Sequence, residues 1–377
     1  MFHIAPALFA AIVIWRFVPP LPIGRLWKIA IGLTILLISQ WGLIAKLFGG
    51  WASPEVPKGI LILAGWATGS FILLLCFLIL KDIASLTLWL GNKTGILSPN
   101  LKLGWKWSVS LCALAVILSA IGTWQGIKVP DVRQTQIYVR HLPKELDGLR
   151  IVQLTDLHAC RLLDAEWTRA VVDKANALKP DLIVVTGDLV DGLTKNRVDD
   201  VAPYKDLTAR LGVFVAAGNH EYYSNYLAWM RYFNAMGLRI LSNEHVILED
   251  KGHRIVLAGT TDRVAARFGL PEPDIEKALS GKPEGAPVIL LAHQPKGAEA
   301  NAAAGADLQL SGHTHGGQVL GIHWLNQYVN GGYVSGLYDV AGMKLYVSNG
   351  TGLWNGFPLR LGKPSEITEL ILHPEAP

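Results

Sequence analysis

Five short polar motifs follow one another through the second half of this 377-residue chain, each just behind an apolar, β-branched run. They are Asp156-Leu157-His158, Gly187-Asp188 with Asp191 close behind, Gly218-Asn219-His220-Glu221, the single His293, and Gly312-His313-Thr314-His315. Carboxylates, imidazoles and one amide oxygen suit borderline divalent ions. Manganese comes first among these, with iron, zinc and cobalt as alternatives, whereas Mg²⁺ and Ca²⁺ favour all-oxygen shells. Two such ions ~3.5–4 Å apart can clamp an in-line displacement at phosphorus and lower the pKa of a water that bridges them. A shared carboxylate must hold two cations so close. Asp188, on the tight Gly187 turn, is the natural candidate.

The elements that must position these groups are legible as alternating strands and helices. Arg150–Thr155, Leu182–Thr186, Val213–Ala216, Val288–Leu291 and Leu308–Leu310 read as strands, and the near-continuous Leu182–Thr186 run marks a strand buried on both faces. Further strands are expected at Arg239–Leu241, His245–Glu249, Ile255–Ala258, Lys344–Ser348 and Glu366–Leu372. Helices are expected at Ala165–Leu178, Tyr204–Leu211 and Tyr226–Met236. Such alternation predicts a layered α/β sandwich flanked by helices. Asp156, Asp188, Asn219, His293 and His313 then fall at or just past strand carboxyl ends, where α/β sheets collect ligands. Asp262 ends another apolar run and is expected on the same edge.

Other groups have weaker claims. Arg161 and Arg263 are candidate phosphate contacts on charge and position. Asp191 either serves the site or shapes the Gly187–Gly192 turn through an Asx hydrogen bond. Cys160 reads as a small buried residue rather than a ligand. Gly316-Gly317-Gln318 allows close backbone approach.

The first third is different. Only 17% of the chain is charged, against ~25% in ordinary soluble domains, and the deficit lies before residue 128. Phe2–Val18, Trp27–Phe48, Ile60–Leu80 and Trp107–Ile127 are apolar runs, the last three long enough for a ~30 Å hydrocarbon layer. Trp27, Trp41, Trp51, Trp66, Trp105, Trp107 and Trp124 lie mostly toward their ends, as interfacial anchors do. The expected division is a four-helix transmembrane bundle over 1–127, a linker with a first edge strand over 128–147, and the α/β domain over 148–377. Basic residues Arg16, Arg25 and Lys28 in the first loop, and Lys81, Lys93, Lys102 and Lys106 in the third, outnumber Lys46 and Lys58 in the second. The positive-inside rule therefore turns the polar domain outward, to the periplasm or cell exterior, from a multi-pass anchor in the inner or plasma membrane. No ionisable group sits mid-span, which disfavours a transporter. A net charge of +4 is too weak for nucleic acid.

The order D-x-H, G-D-x-x-D, G-N-H-E, H, G-H-x-H resembles that of the calcineurin-like metallophosphoesterase superfamily, over roughly residues 148–373. Leu149–His158, Leu241–Glu244, Gly312–Gln318 and Ser348–Gly362 are similar to the bacterial membrane-associated, YkuE-like branch, with Thr260-Thr261-Asp262 as a local departure. The resemblance implies one metal held by Asp156, His158, Asp188 and His315, and another by Asp188, Asn219, His293 and His313. It implies His220 beside the scissile phosphorus, with Glu221 or Asp191 fixing nearby groups.

The expectation is thus a membrane-anchored, dinuclear metal-dependent phosphoesterase attacking with a metal-bridging hydroxide. A bilayer tether favours phosphodiester or pyrophosphate bonds of lipids or lipid-linked sugars. Similar enzymes hydrolyse UDP-2,3-diacylglucosamine, a cytoplasmic-leaflet substrate at odds with the outward orientation. The alternatives are a nucleotide phosphodiesterase or nuclease with the same metals, and a non-catalytic membrane sensor retaining the fold.

Overall fold

The computed structural model describes residues 4–50, 53–94, 103–354, 356 and 358–375. Trp51 and Lys102, used above as an anchor and a loop charge, lie outside the described residues. The chain divides into two compact units, Met1–Gln125 with Gly356–Leu359, and Gly126–Asn355 with Arg360–Pro377.

The first unit is helical: α1 Ile4–Phe17, α2 Arg25–Ser39, α3 Trp41–Lys46, α4 Lys58–Lys93 and α5 Trp105–Ile127. Among the described residues, α4 and α5 are long and apolar enough to cross a membrane. At about 1.5 Å per residue, the 14-residue α1 falls short of a hydrocarbon layer. The expected Trp27–Phe48 span is not one helix but breaks at Gln40. Just before the break, Ser39 Oγ donates back to the Leu36 carbonyl at 2.7 Å, a bond that competes with the helical ladder and bends it. Helix α4 outruns the expected Ile60–Leu80 segment and carries Lys81 and Asp82. There Asp82 pairs with Arg16 of α1, and Lys81 Nζ donates to Ser108 Oγ at 2.8 Å.

The second unit contains twelve strands among the described residues: β1 Asp131–Val139, β2 Leu149–Leu154, β3 Leu182–Thr186, β4 Val213–Ala216, β5 Arg239–Ile240, β6 Glu244–Asp250, β7 His253–Gly259, β8 Val288–Leu291, β9 Leu308–Ser311, β10 Gly336–Val340, β11 Met343–Val347 and β12 Glu366–Pro374. They form two six-stranded sheets, in the orders β1-β12-β2-β3-β4-β5 and β10-β11-β9-β8-β7-β6. The centres are parallel, β2-β3-β4-β5 in one and β7-β8-β9-β11 in the other. Their inner faces share one apolar core that includes Ile151, Val184, Leu257, Ile289, Leu310 and Tyr346. Gln153 crosses this core as a polar tie, its Nε2 donating to Thr186 Oγ1 on β3 at 2.9 Å and to the Ser311 carbonyl on β9 at 3.0 Å.

Local structure adds to or departs from the expectations in three places. The first edge strand expected within 128–147 begins at Asp131, leaving a linker of a few residues. Its polar side chains suit an edge, where Arg133 meets Glu366 at 3.1 Å and Gln134 meets Glu369 at 3.0 Å. The helix expected at Tyr204–Leu211 is instead a 3₁₀ turn at Ala202–Asp206 following a helix at Thr194–Val201. That helix buries Arg197 and Asp200, paired at 3.4 Å, so apolar periodicity could not reveal it. The edge strand β10, half exposed, also lacked a sequence signal.

Leu310 is fully buried between the sheets. Leu310→Ala is expected to cost about 2–5 kcal/mol in denaturant unfolding of the second unit; a loss below ~1 kcal/mol would show that this inter-sheet layer is not tightly packed.

Candidate metal centre

The motifs sit at a constant offset from their strands. Asp156, Asp188, His293 and His313 lie two residues past the ends of β2, β3, β8 and β9, and Asn219 lies three past β4. Three of the strands, β2, β3 and β9, leave the sandwich through strained turns. Asp156, His158, Asp188, His313 and His315 have φ of 52°, 46°, 53°, 68° and 50°, left-handed conformations that cost non-glycine residues on the order of 1 kcal/mol each. Two glycines let backbone approach these carboxylates: a Cβ on Gly218 would collide with the Asp188 side chain, and one on Gly312 with Thr155 and Asp156.

Three clusters result. Asp188, His293 and His313 each offer a ligand atom, and these lie within 4.8 Å of one another; so do those of Asp156, His158 and His315, and those of His158, Asp191 and His220. In the first cluster His293 Nδ1 faces the Thr186 carbonyl at 2.7 Å, and only an N–H can satisfy that contact. The other nitrogen, Nε2, then points a lone pair at Asp188 Oδ2, 3.1 Å away, and at Asn219 Oδ1, also 3.1 Å away. Three electron-pair donors converge, and only a proton or a cation can reconcile them. Burial disfavours a charged His293, yet the Asp188 carboxylate raises its pKa well above the ordinary value, with Asp156 and Asp262 adding to the effect. The field of the site thus demands positive charge here. Fixing one imidazole nitrogen on a carbonyl while the other faces carboxylate and amide oxygens is the arrangement of metal-binding histidines.

In the second cluster His158 Nδ1 faces Asp191 Oδ2 at 3.2 Å, and His158 Nε2 faces His315 Nε2 at 3.1 Å. His315 Nε2 also lies 3.4 Å from Asp156 Oδ1. Burial, His158 and Arg360 hold His315 well below its usual pKa, and burial and His293 bring His313 down to about 3. Both therefore stay neutral, with lone pairs available. The donor set fits divalent cations: oxygen and neutral imidazole, water-poor, and short of positive charge.

His220 adds a different function. Its Nδ1 meets Asp191 Oδ1 at 2.5 Å, and its Nε2 lies 4.0 Å from Asp188 Oδ2. Burial pulls its pKa down, but Asp191 and Asp188 overcome this and raise it to about 9. Asp191, buried and touching both His158 and His220, orients two imidazoles. Glu221 is buried beneath the same turn and accepts four backbone N–H groups: Gly218 at 2.7 Å, Asp188 at 3.1 Å, Leu189 at 2.6 Å and Val190 at 3.3 Å. Burial and Asp188 push its pKa up to about 8, while these donors favour the carboxylate. The Asp188 loop is thereby pinned to the motif that carries Asn219 and His220.

The remaining candidates are dispersed. Asp262 lies near the centre, its oxygens accepting Gln294 Nε2 at 3.0 Å each. Arg263 lines an adjoining cavity with His293. Arg161 is exposed, and its charge acts on the Asp200 carboxylate. Burial raises the Cys160 thiol to about 12, leaving it a packing residue. Sequence reasoning missed Arg360, which is fully buried. Its Nη1 donates to the His315 and Lys363 carbonyls at 3.1 and 3.2 Å, and its Nη2 to the Asn349 and Gly352 carbonyls, both at 2.8 Å. With those hydrogens committed to carbonyls, its approach to His315 Nδ1 at 3.2 Å acts through charge rather than by fixing a tautomer.

The raised pKa of His220 gives a pH signature. Its ion pair with Asp191 stabilises the metal-free fold fully below the unfolded-state pKa of ~6.5, by an amount on the order of 3 kcal/mol, and this is lost as pH rises through about 9. Thermal melts in chelator should show wild type well above His220→Gln at pH 6, with the gap closing by pH ~9.5. A gap independent of pH would refute the pairing.

A family model described as calcineurin-like phosphoesterase matches residues 149–317. A Bos taurus protein described as a transmembrane protein with metallophosphoesterase domain is 32% identical over 365 residues, covering 92% of this chain and 81% of that protein. An uncharacterized metallophosphoesterase from Helicobacter pylori is 37% identical over 256 residues, 67% of each chain. The Bacillus subtilis uncharacterized metallophosphoesterase YkuE is 32% identical over 238 residues, covering 61% of this chain and 81% of that one. Breadth and identity together settle the family: the chain is a metallophosphoesterase and belongs to the calcineurin-like phosphoesterases.

Proposed function

We propose that the second unit holds two divalent cations, manganese foremost, and hydrolyses a phosphodiester or pyrophosphate bond of a lipid or lipid-linked substrate. One cation is assigned to Asp156, His158, Asp188 and His315, the other to Asp188, Asn219, His293 and His313. The observation that carries this reading is the convergence of Asp188 Oδ2, Asn219 Oδ1 and the lone pair of His293 Nε2 within hydrogen-bond distance, with no proton of the neutral imidazole left to separate them. When bound, such cations supply Lewis acidity to the phosphoryl oxygens and acidify the attacking water, so no phosphoenzyme is required.

The chain's own groups divide the remaining work. Asp188 is the shared carboxylate, held in place by the His220 N–H donating to its Oδ1 at 2.8 Å. His220, protonated at neutral pH and braced by Asp191, presents its Nε2 proton to the leaving oxygen. Glu221 fixes the turn that carries Asp188.

Membrane association is supported by α4 and α5 and by relatives named transmembrane proteins. We take the first unit as a multi-pass anchor and the second as facing away from the cytoplasm, on the basic-residue bias of the loops. The bilayer then brings lipid-linked phosphoesters within reach. Hydrolysis of the UDP-diacylglucosamine type belongs to the same reaction class but calls for the opposite face. The net charge of +4 disfavours nucleic acid.

Detergent-purified protein with Mn²⁺ is expected to hydrolyse bis-p-nitrophenyl phosphate. Asp188→Asn should lose turnover and metal content together, whereas His220→Ala should retain metal and lose about 10²–10⁴-fold in kcat. Full activity in Asp188→Asn would sink the assignment. A C-terminal reporter that works only outside the cytoplasm should be active; an inactive reporter on a stably inserted chain would reverse the orientation.

A further inference from the structure

Beside the metal centre lies a cavity of about 160 Å³ whose lining includes His293, Asp262, Arg263, Gln294 and Lys296. Its electrostatics are unusual. Asp262 is the one acidic residue in the lining. Its oxygens already accept Gln294 Nε2 at 3.0 Å each, and Oδ1 also accepts the Val264 N–H at 2.8 Å. The two cations are not so satisfied: among the described residues neither Arg263 nor Lys296 forms an ion pair. Both line the same cavity. Gly297, at φ +95°, lets the Arg263 guanidinium pack over the turn, with Nη1 3.2 Å from where a Cβ would stand. One residue away in the chain is Lys296. Two like charges on the lining of one concave surface, whose one carboxylate is already hydrogen-bonded, attract an anion.

We propose that Arg263 and Lys296 bind a second anionic group of the substrate, next to the scissile phosphorus. This rests on the metallophosphoesterase reading and narrows it to substrates with two adjacent anionic centres, of which a pyrophosphate diester is the simplest. A phosphodiester flanked by neutral groups leaves the cavity unused. Size agrees: whole-ligand pockets run to ~300–1,000 Å³, so a cavity of about 160 Å³ accepts one tetrahedral oxyanion rather than a sugar or base. Continuity agrees as well, because His293, assigned above to a cation, forms part of the wall. Arginine supplies a planar fork for phosphate oxygens, and lysine a mobile point charge.

Two measurements on the full-length protein in detergent test this. In the first, ³¹P NMR follows inorganic phosphate added to chelator-treated protein, so that no metal contributes. Wild type should broaden the signal; the double variant Arg263→Ala/Lys296→Ala should not, and Arg263→Lys/Lys296→Arg, which keeps both charges, should. Absence of broadening with wild type, or broadening that the double alanine variant retains, overturns the site. In the second, kcat/KM is measured for UDP-glucose, a pyrophosphate diester, and for bis-p-nitrophenyl phosphate. The ratio of the two should fall by about tenfold or more in Lys296→Ala, the scale of one lost charge-assisted hydrogen bond. Phosphate binding with a smaller change in ratio would make the cavity a site for free phosphate and overturn the substrate assignment. If wild type turns over neither compound, the hydrolytic reading fails while the NMR result still decides the anion site.

Discussion

Asp188 Oδ2, His293 Nε2 and Asn219 Oδ1 crowd into one small volume, and His293 cannot turn its proton inward because the Thr186 carbonyl holds it on Nδ1. Buried lone pairs facing one another at such distances are repulsive unless positive charge lies between them. The second unit is organised around that constraint. Thr186 is the last residue of β3, and His293 follows β8, so the contact that sets the imidazole tautomer also ties one sheet to the other. Gln153 makes a second such tie one layer deeper, between β2, β3 and β9. The polar groups that prepare the site are therefore the same ones that hold the two sheets together at its end of the sandwich.

Holding that geometry has a backbone cost. Five of the candidate ligands adopt left-handed conformations at strand ends, and such strain persists only where the surroundings over-determine it. Glu221 supplies much of the determination. Four backbone N–H groups from two loops end on one buried carboxylate, which fixes the Asp188 turn against the helix that begins at Asn219. Arg360 does the same on the opposite side, gathering four carbonyls around the His315 turn. One anchor is an acidic side chain collecting donors and the other a cation collecting acceptors. Between them the turns that carry Asp188 and His315 are pinned by buried hydrogen bonds.

How much of this was legible in the sequence depended on whether the signal was local. The runs Leu182–Thr186 and Val288–Leu291 announce buried strands because both faces must be apolar, and polar residues just beyond them can only lie on the sheet edge. The motif residues do lie together just past the strand ends. The same reasoning could not find the Thr194–Val201 helix, whose buried face is an arginine and an aspartate rather than an apolar stripe. Nor could it find Arg360 or Lys296, single charged residues whose meaning comes from what folds against them. The break at Gln40 was hidden for a related reason: composition reports that a segment is apolar, not whether its serine bonds backward to its own helix. In the first unit, length and apolarity identify helices able to cross a membrane, while the loops alone carry the information on orientation.

Two cations sharing Asp188 are what this donor set is proposed to hold. Chelator-treated protein titrated with Mn²⁺ and followed by electron paramagnetic resonance tests this most directly. About two ions should bind per chain, the doubly loaded form giving the broadened, exchange-coupled signal of a manganese pair. Saturation at a single uncoupled ion, or two ions with independent signals, would contradict the shared site.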